Sequence, residues 1–335
     1  MRAIGYSSAG EITRPDALIE RDIPEPRAAG RDLLVRVAAV SVNPVDAKVR
    51  RSTPPSDGFR VLGFDAVGTV EAVGDEVTLF APGDRVWYAG SIGRPGSNAQ
   101  LQLVDERIVS HAPVSLTDAQ AAAMPLTSIT AWEMLFDRLD VRRPVRGGGN
   151  AILIVGGAGG VGSIAIQLAK AVAGLSVIAT ASRPETAAWA KAMGADAVID
   201  HSRPLAPQIR ELGVAPGFVF STTETEQHFD DIVELIAPQG RLGVISGIGR
   251  ADVNRLSGKS VALCFELMFT RSNHQTPDMI EQHRLLAEIA RRTDEGQLKT
   301  TLGEHFGRLT ADNLRRAHAR IETGAACGKI VLEGL

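Results

Sequence analysis

The chain is short of the residues that staple small domains and metal lobes. Its 335 residues include only two cysteines, Cys264 and Cys327. Two thiols cannot build a disulfide framework or a four-thiolate zinc site. No apolar run approaches the length of a membrane span. The N-terminus, Met1-Arg2-Ala3-Ile4-Gly5-Tyr6, lacks a long apolar core and a cleavage signature. Charge of one sign is lacking too, since 36 Lys+Arg stand against 39 Asp+Glu for a net charge of −3. That balance argues against an acidic tail, and against nucleic acid as a partner, because phosphate neutralisation dominates that affinity. Repeats and low-complexity tracts are absent. These absences point to a cytoplasmic, reduced protein that acts neither on membranes nor on nucleic acid. Core-forming material is present: hydrophobic residues make up 44% of the chain and charged residues 22%. That composition excludes wholesale disorder. The length suggests about two domains.

The first third reads as β structure. Short apolar runs, Leu33 to Val37, Gly68 to Val73 and Asp84 to Tyr88, are punctuated by Gly74-Asp75 and Pro82-Gly83-Asp84. Strands of this length and spacing suggest a barrel-like domain. Near residue 117 the pattern changes. Thr117 or Asp118 can cap a helix holding Ala121-Ala122-Ala123, and a second helix is expected from about Ser128 to Arg138. From Ala151 onward, strand and helix alternate. Ile152-Leu153-Ile154-Val155 is a buried-strand run, and Ile164, Leu168 and Ala171 recur at helical spacing. Strands at 177–179, 197–199, 218–220 and 242–245 follow, with a helix from Pro184 to Met193. Alternation of this kind means parallel strands with helices on both faces, a doubly wound α/β Rossmann sheet. Helices at about 277–292 and 311–322 and a strand at 329–332 complete the chain.

Gly157-Ala158-Gly159-Gly160-Val161-Gly162 satisfies G-x-G-x-x-G. It follows a strong strand and opens a strong helix, the context its mechanism needs. Glycines let the backbone approach a pyrophosphate, and N–H groups at the helix start bind the anion. An NAD site usually carries Asp or Glu at the tip of the second strand, to accept from the ribose hydroxyls. Here that tip reads Thr180-Ala181-Ser182-Arg183, with no acid. Ser182 and Arg183 can donate to a 2′-phosphate, which favours NADPH. Ser182-Arg183-Pro184-Glu185 is also an S-x-x-E capping box, and a cap of that kind leaves Arg183 available. Ser221-Thr222-Thr223 and Ser246-Gly247-Ile248-Gly249 fall at carboxyl ends of strands, where open α/β sheets bind ligands.

With both halves in view, the chain resembles the medium-chain dehydrogenase/reductase superfamily over nearly its whole length. The resemblance is carried by Ser41-Val42-Asn43-Pro44-Val45-Asp46, Gly63-Phe64-Asp65-Ala66-Val67-Gly68, Pro82 to Val86, the Gly157 to Gly162 loop, Gly194-Ala195-Asp196 and Gly328-Lys329-Ile330-Val331. Within the superfamily it is similar to the quinone oxidoreductase branch. Tyr88-Ala89-Gly90, Pro95 to Ala99, Met268 to Ser272 and Gln275 to Met279 are most like the subgroup of zinc-type alcohol dehydrogenase-like proteins. The resemblance implies a GroES-like domain of residues 1–125 and 270–335 and a Rossmann domain of 126–269. It also implies a homodimer joined through an edge strand of the nucleotide domain, here about Ser260 to Cys264. It places Thr130 near the nicotinamide, while Ser246 joins the candidate cofactor contacts by its position at a strand's carboxyl end.

Zinc is the point of friction. Zinc-dependent relatives use a Cys, the His of a Gly-His-Glu run, and a Cys before the nucleotide domain. By resemblance those positions are Asn43, Phe64 and Leu126, with Asp65 in place of the Glu. None of the three is a zinc ligand, and the seven histidines form no ligand cluster. A donor must then steady the oxygen of a carbonyl substrate as hydride arrives. Asn43, Lys48 and Tyr88 are the candidates, and many quinone oxidoreductases carry a Tyr where Lys48 stands. The expected protein is an NADPH-dependent, metal-independent reductase of quinones or other conjugated carbonyls. The alternatives are a zinc-type alcohol dehydrogenase, or a non-catalytic nucleotide- or nucleic-acid-binding protein that kept the fold.

Overall fold

In a computed structural model describing residues 1–335, the apolar run at 152–155 lies in strand Gly149–Val155. This strand is central to a six-stranded sheet. The order is Ala197–Ile199, Ser176–Thr180, Gly149–Val155, Pro216–Ser221, Arg241–Val244, Ala262–Phe265. All five pairings are parallel. Counted along the chain the order is 3-2-1-4-5-6, the dinucleotide-binding arrangement. Leu153, Val155, Ile178, Val219, Leu242 and Val244 pack with Phe229 and Ile232 of helix Thr225–Leu235. The unit built on this sheet is Thr127–Met268.

The other unit comprises Met1–Leu126 and Phe269–Leu335. Its main sheet has the order Leu302–Arg308, Lys329–Glu333, Asp32–Val42, Ala66–Val73, Arg85–Tyr88, Val109–His111, and Leu101–Asp105 also pairs with Asp32–Val42. Only the first pair is parallel. Asp32–Val42 therefore touches three neighbours, and its inward residues Leu33 and Val35 join Val70, Val86, Val104 and Met279 in the core. The last strand enters by pairing Ile330 with Val42. That register sets Lys329 beside the turn at Asn43. No helix in the chain is long and apolar enough to cross a membrane.

Helix boundaries differ from expectation in instructive ways. Thr117, not Asp118, caps Asp118–Ala122, its hydroxyl accepting from Gln120 N at 3.3 Å. The second helix starts earlier, at Pro125, and passes from α geometry at Trp132 into a π-helical turn, Glu133–Arg138. Ser182 and Glu185 do not form a capping box. Pro184 takes the first helical position, so the cap is Arg183, whose N–H donates to Thr186 Oγ1 at 3.2 Å. The edge strand runs Ala262–Phe265, two residues later than expected, because Ser260 turns left-handed at φ 52° to end the preceding 3-10 turn.

Candidate functional site

The Gly157–Gly162 loop is pinned to the second strand of the nucleotide sheet. Gly157 N donates to Thr180 O and Gly156 N to Thr180 Oγ1, both at 3.0 Å. The same hydroxyl meets His201 Nδ1 at 3.1 Å. Gly159 caps helix Gly160–Ala171, whose first turn carries no acidic side chain. The N–H groups of that turn have no carbonyl a turn back to reach, so they are available to an anion. Gly162 is required by space: a Cβ there would stand 2.2 Å from Gly156 O and 2.8 Å from Gly157 Cα. Gly157 is also tight, a Cβ there standing 2.7 Å from Ala179 Cβ. The loop is thus shaped for close backbone approach.

Around it, Thr130 is 5% exposed on helix Pro125–Trp132. Ser246 Oγ meets Thr225 Oγ1 at 3.3 Å, and Thr225 Oγ1 meets Ser221 Oγ at 2.8 Å, a hydroxyl chain across the ends of two adjacent strands. Ser182 is exposed. Arg183 is not left free by its cap: its Nε lies 3.3 Å from Glu185 Oε1. Both side chains are well exposed, at 40% and 63%. Such a pair is worth about 0–1 kcal/mol, so a phosphate can displace the carboxylate.

In the other unit, Asp65 is the centre of a buried polar knot. Its side chain is fully buried, as is all but 3% of Lys329's. Asp65 Oδ2 accepts from Ser41 Oγ at 2.8 Å, Asn43 Nδ2 at 2.8 Å and Lys329 Nζ at 2.9 Å. Asp65 Oδ1 accepts from Leu126 N at 2.7 Å, in the first turn of helix Pro125–Trp132. Lys329 Nζ also donates to Asn43 Oδ1 and, at 3.2 Å, to Val42 O. Beside the knot, Asp46 accepts from Asn43 N at 2.8 Å and Gly63 N at 3.0 Å. Burial pushes the Asp46 carboxyl up to about 7, against the pull of these N–H groups and of the Lys329 ammonium.

This geometry separates the three candidate donors. Asn43 is already engaged: its amide gives to Asp65 and to Ser41 O at 3.4 Å, accepts from Lys329, and is 1% exposed. Tyr88 is buried too. It lies in the barrel core with Leu33, Val35 and Val86, 1% exposed, its hydroxyl without a hydrogen-bond partner. Burial drives its pKa far up. Lys48 is different: it sits on helix Pro44–Ser52, is exposed, and its ammonium makes no hydrogen bond or ion pair. Lys329 and Ser41 lie outside the set the sequence suggests. Both fall in stretches that carry the family resemblance, and Lys329 also stands as a charge at the head of the apolar run Ile330-Val331-Leu332.

Zinc does not fit these residues. Phe64 is 1% exposed with its ring edge-on to Phe269 at 5.3 Å between centroids, and Leu126 offers no lone pair on its side chain. Both oxygens of Asp65 are taken by four donors, one of them a cation. No cluster of three or more His, Cys, Asp or Glu side chains suited to a metal exists in the chain.

A barrel-type unit joined to a 3-2-1-4-5-6 parallel sheet with a glycine-rich loop defines a two-domain, nucleotide-dependent dehydrogenase. Residues 29–114 match the alcohol dehydrogenase GroES-like domain, and residues 160–286 match the zinc-binding dehydrogenase family. The chain is 42% identical over 334 residues, 99% of each chain, to a zinc-type alcohol dehydrogenase-like protein of Staphylococcus aureus. It is 31% identical to a quinone oxidoreductase of Pseudomonas aeruginosa, covering 95% of this chain and 96% of that one. A solved structure from Rhizobium etli, named for the zinc-dependent alcohol dehydrogenases, superposes with a TM-score of 0.99 at 56% identity, covering 100% of this chain and 98% of that one. The chain belongs to the medium-chain dehydrogenase/reductase superfamily and is an oxidoreductase of that family.

Proposed function

We propose that the protein reduces quinones or other conjugated carbonyls with NADPH and without a metal. The observation that carries this reading is the Asp65–Lys329 pair. At the positions that by resemblance hold the ion in zinc-dependent members, this chain has an amide, a phenyl ring and an isobutyl group, and the neighbouring Asp65 carboxylate is already matched to an ammonium. Bound NADPH supplies the hydride. The 157–162 loop and the helix start behind it hold the pyrophosphate, and Ser182 and Arg183 take the 2′-phosphate. Thr130 and Ser246 line the nicotinamide end. Lys48, the donor with nothing else to bind, gives a hydrogen bond and then a proton to the substrate oxygen as charge builds there.

Three results test the reading. NADPH oxidation against a panel of quinones and enones should proceed unchanged after chelation, in protein with no stoichiometric zinc. One zinc per chain, removable with loss of activity, would overturn it. Arg183→Ala should weaken NADPH binding by about 1.5–3 kcal/mol and leave NADH nearly untouched, since only NADPH offers a charge-assisted bond at the 2′ position. Equal losses by calorimetry would leave Arg183 a surface residue. For assembly, the edge strand Ala262–Phe265 is followed by Leu267, and Phe265 and Leu267 are each 56% exposed. An unpaired apolar edge is best covered by its own copy across a two-fold axis. A homodimer is therefore expected, and a monomer in light scattering at working concentration would count against it.

A further inference from the structure

The geometry points to Lys329 as a tethered cation: its ammonium fills an oxygen-lined socket made by Val42, Asn43 and Asp65, next to the start of the helix that carries Lys48, and holds that region in its working shape. The inference rests on the metal-free reading for its kinetic part only.

The socket is chemically defined. Lys329 Nζ faces three oxygens of three kinds: the carbonyl of Val42, the amide Oδ1 of Asn43 and the carboxylate Oδ2 of Asp65. An ammonium has three N–H groups, so the set exhausts it. No nitrogen or sulfur ligand takes part. An all-oxygen set with one negative charge suits a small monovalent cation and is a poor match for zinc, which prefers nitrogen and sulfur in tetrahedral geometry. The lysine reaches the socket from the first residue of strand Lys329–Glu333, held there by Lys329 N to Thr301 O at 2.8 Å.

What the cation organises follows from its partners. By taking Asn43 Oδ1, it turns the amide so that Nδ2 points at Asp65. Asn43 is also the N-cap residue of helix Pro44–Ser52, its backbone N–H held by Asp46 Oδ2 at 2.8 Å, so anchoring its amide anchors the residue from which the helix bearing Lys48 begins. By balancing Asp65, it keeps a carboxylate at Leu126 N, in the first turn of helix Pro125–Trp132 bearing Thr130. There the helix dipole also favours negative charge. Lys329 thus acts through other groups and is a positioning residue.

The test is chemical rescue. Lys329→Ala empties the socket and leaves Asp65 buried without its counter-charge. Its Tm should fall by about 10 °C. Its kcat should fall about 10- to 100-fold through misplacement of the donor. Ammonium or methylammonium chloride should restore much of both losses, whereas tetramethylammonium chloride at the same ionic strength, too large for the socket, and zinc chloride should restore neither. Should the alanine variant not fold, Lys329→Gln, which keeps a donor toward Asp65 but no charge, should fold with Tm and kcat both lowered, and wild-type values of both would overturn the tethered cation. Size-selective recovery of Tm and kcat supports the tethered cation. A variant with wild-type Tm and kcat, or losses that no small amine repairs, overturns it. Melting needs no substrate, so absence of NADPH turnover in the wild type would overturn the proposed reaction while leaving the socket tested.

Discussion

Asp65→Ala should destabilise the protein by about 3–5 kcal/mol, far more than removal of any surface ion pair. The carboxylate is fully buried and serves four donors: Ser41 Oγ, Asn43 Nδ2, Lys329 Nζ and Leu126 N. Truncation leaves each without its acceptor, and leaves the Lys329 ammonium buried with no counter-charge. An uncompensated buried charge is the costliest of these defects. Asp65→Asn does not escape, because one side of the carboxylate faces three donors and the other faces Leu126 N. Whichever way the amide is turned, its NH2 confronts a donor. The contrast is Glu281→Ala, which breaks the Arg284–Glu281 pair, with side chains 65% and 42% exposed. That pair should contribute about 0–1 kcal/mol. Urea unfolding of the two variants beside the wild type decides the matter. A loss under about 1 kcal/mol for Asp65→Ala would mean that water reaches the knot, and the buried pair could no longer be held responsible for organising the site.

The nucleotide half was legible because its signals are local. Ile152-Leu153-Ile154-Val155 announces a strand, and the glycines that follow serve a turn whose spacing needs no distant partner. The helix Pro44–Ser52 was harder. Asn43-Pro44 is a turn signal and equally a helix-start signal, since Asn caps and Pro is pre-set for the first helical position. Only Asp46, three residues after the cap, tips the balance, and it does so by accepting from Asn43 N. Strand Leu302–Arg308 carries a weak pattern because it is a half-exposed edge paired on one side only. The knot itself lies beyond local reading. Lys329 and Asn43 are 286 positions apart, and a lysine heading an apolar strand is normally placed in solvent. Its burial is decided by the register of Ile330 on Val42, a property of the sheet. The cap at Arg183 departs from the S-x-x-E pattern for a smaller reason. A capping box is counted from the cap, and Pro184 moves the cap one residue past Ser182.

Lys48→Ala should lower kcat for enone or quinone reduction by about 10²–10³ while leaving stability within about 0.5 kcal/mol of the wild type. The two halves of this expectation come from one observation. Lys48 shares the exposed face of helix Pro44–Ser52 with Pro44 and Arg51, four positions before and three after, and its ammonium is engaged with nothing. Removing it uncovers no buried group, so the fold has little to lose. If it is the donor to the substrate oxygen, the reaction loses the interaction that strengthens as charge develops, and kcat falls with little change in KM for NADPH. Asn43→Ala should behave in the opposite way. It is buried and spent on Asp65, Ser41 O and Lys329, so its loss should lower stability by about 1–3 kcal/mol, with any loss of rate following from displaced structure. Lys48→Arg, which keeps a cationic donor at the same place, should recover part of the rate that Lys48→Ala loses. Steady-state kinetics paired with thermal melts separates the two residues. Wild-type kcat in Lys48→Ala would remove Lys48 from the reaction and require a donor from elsewhere.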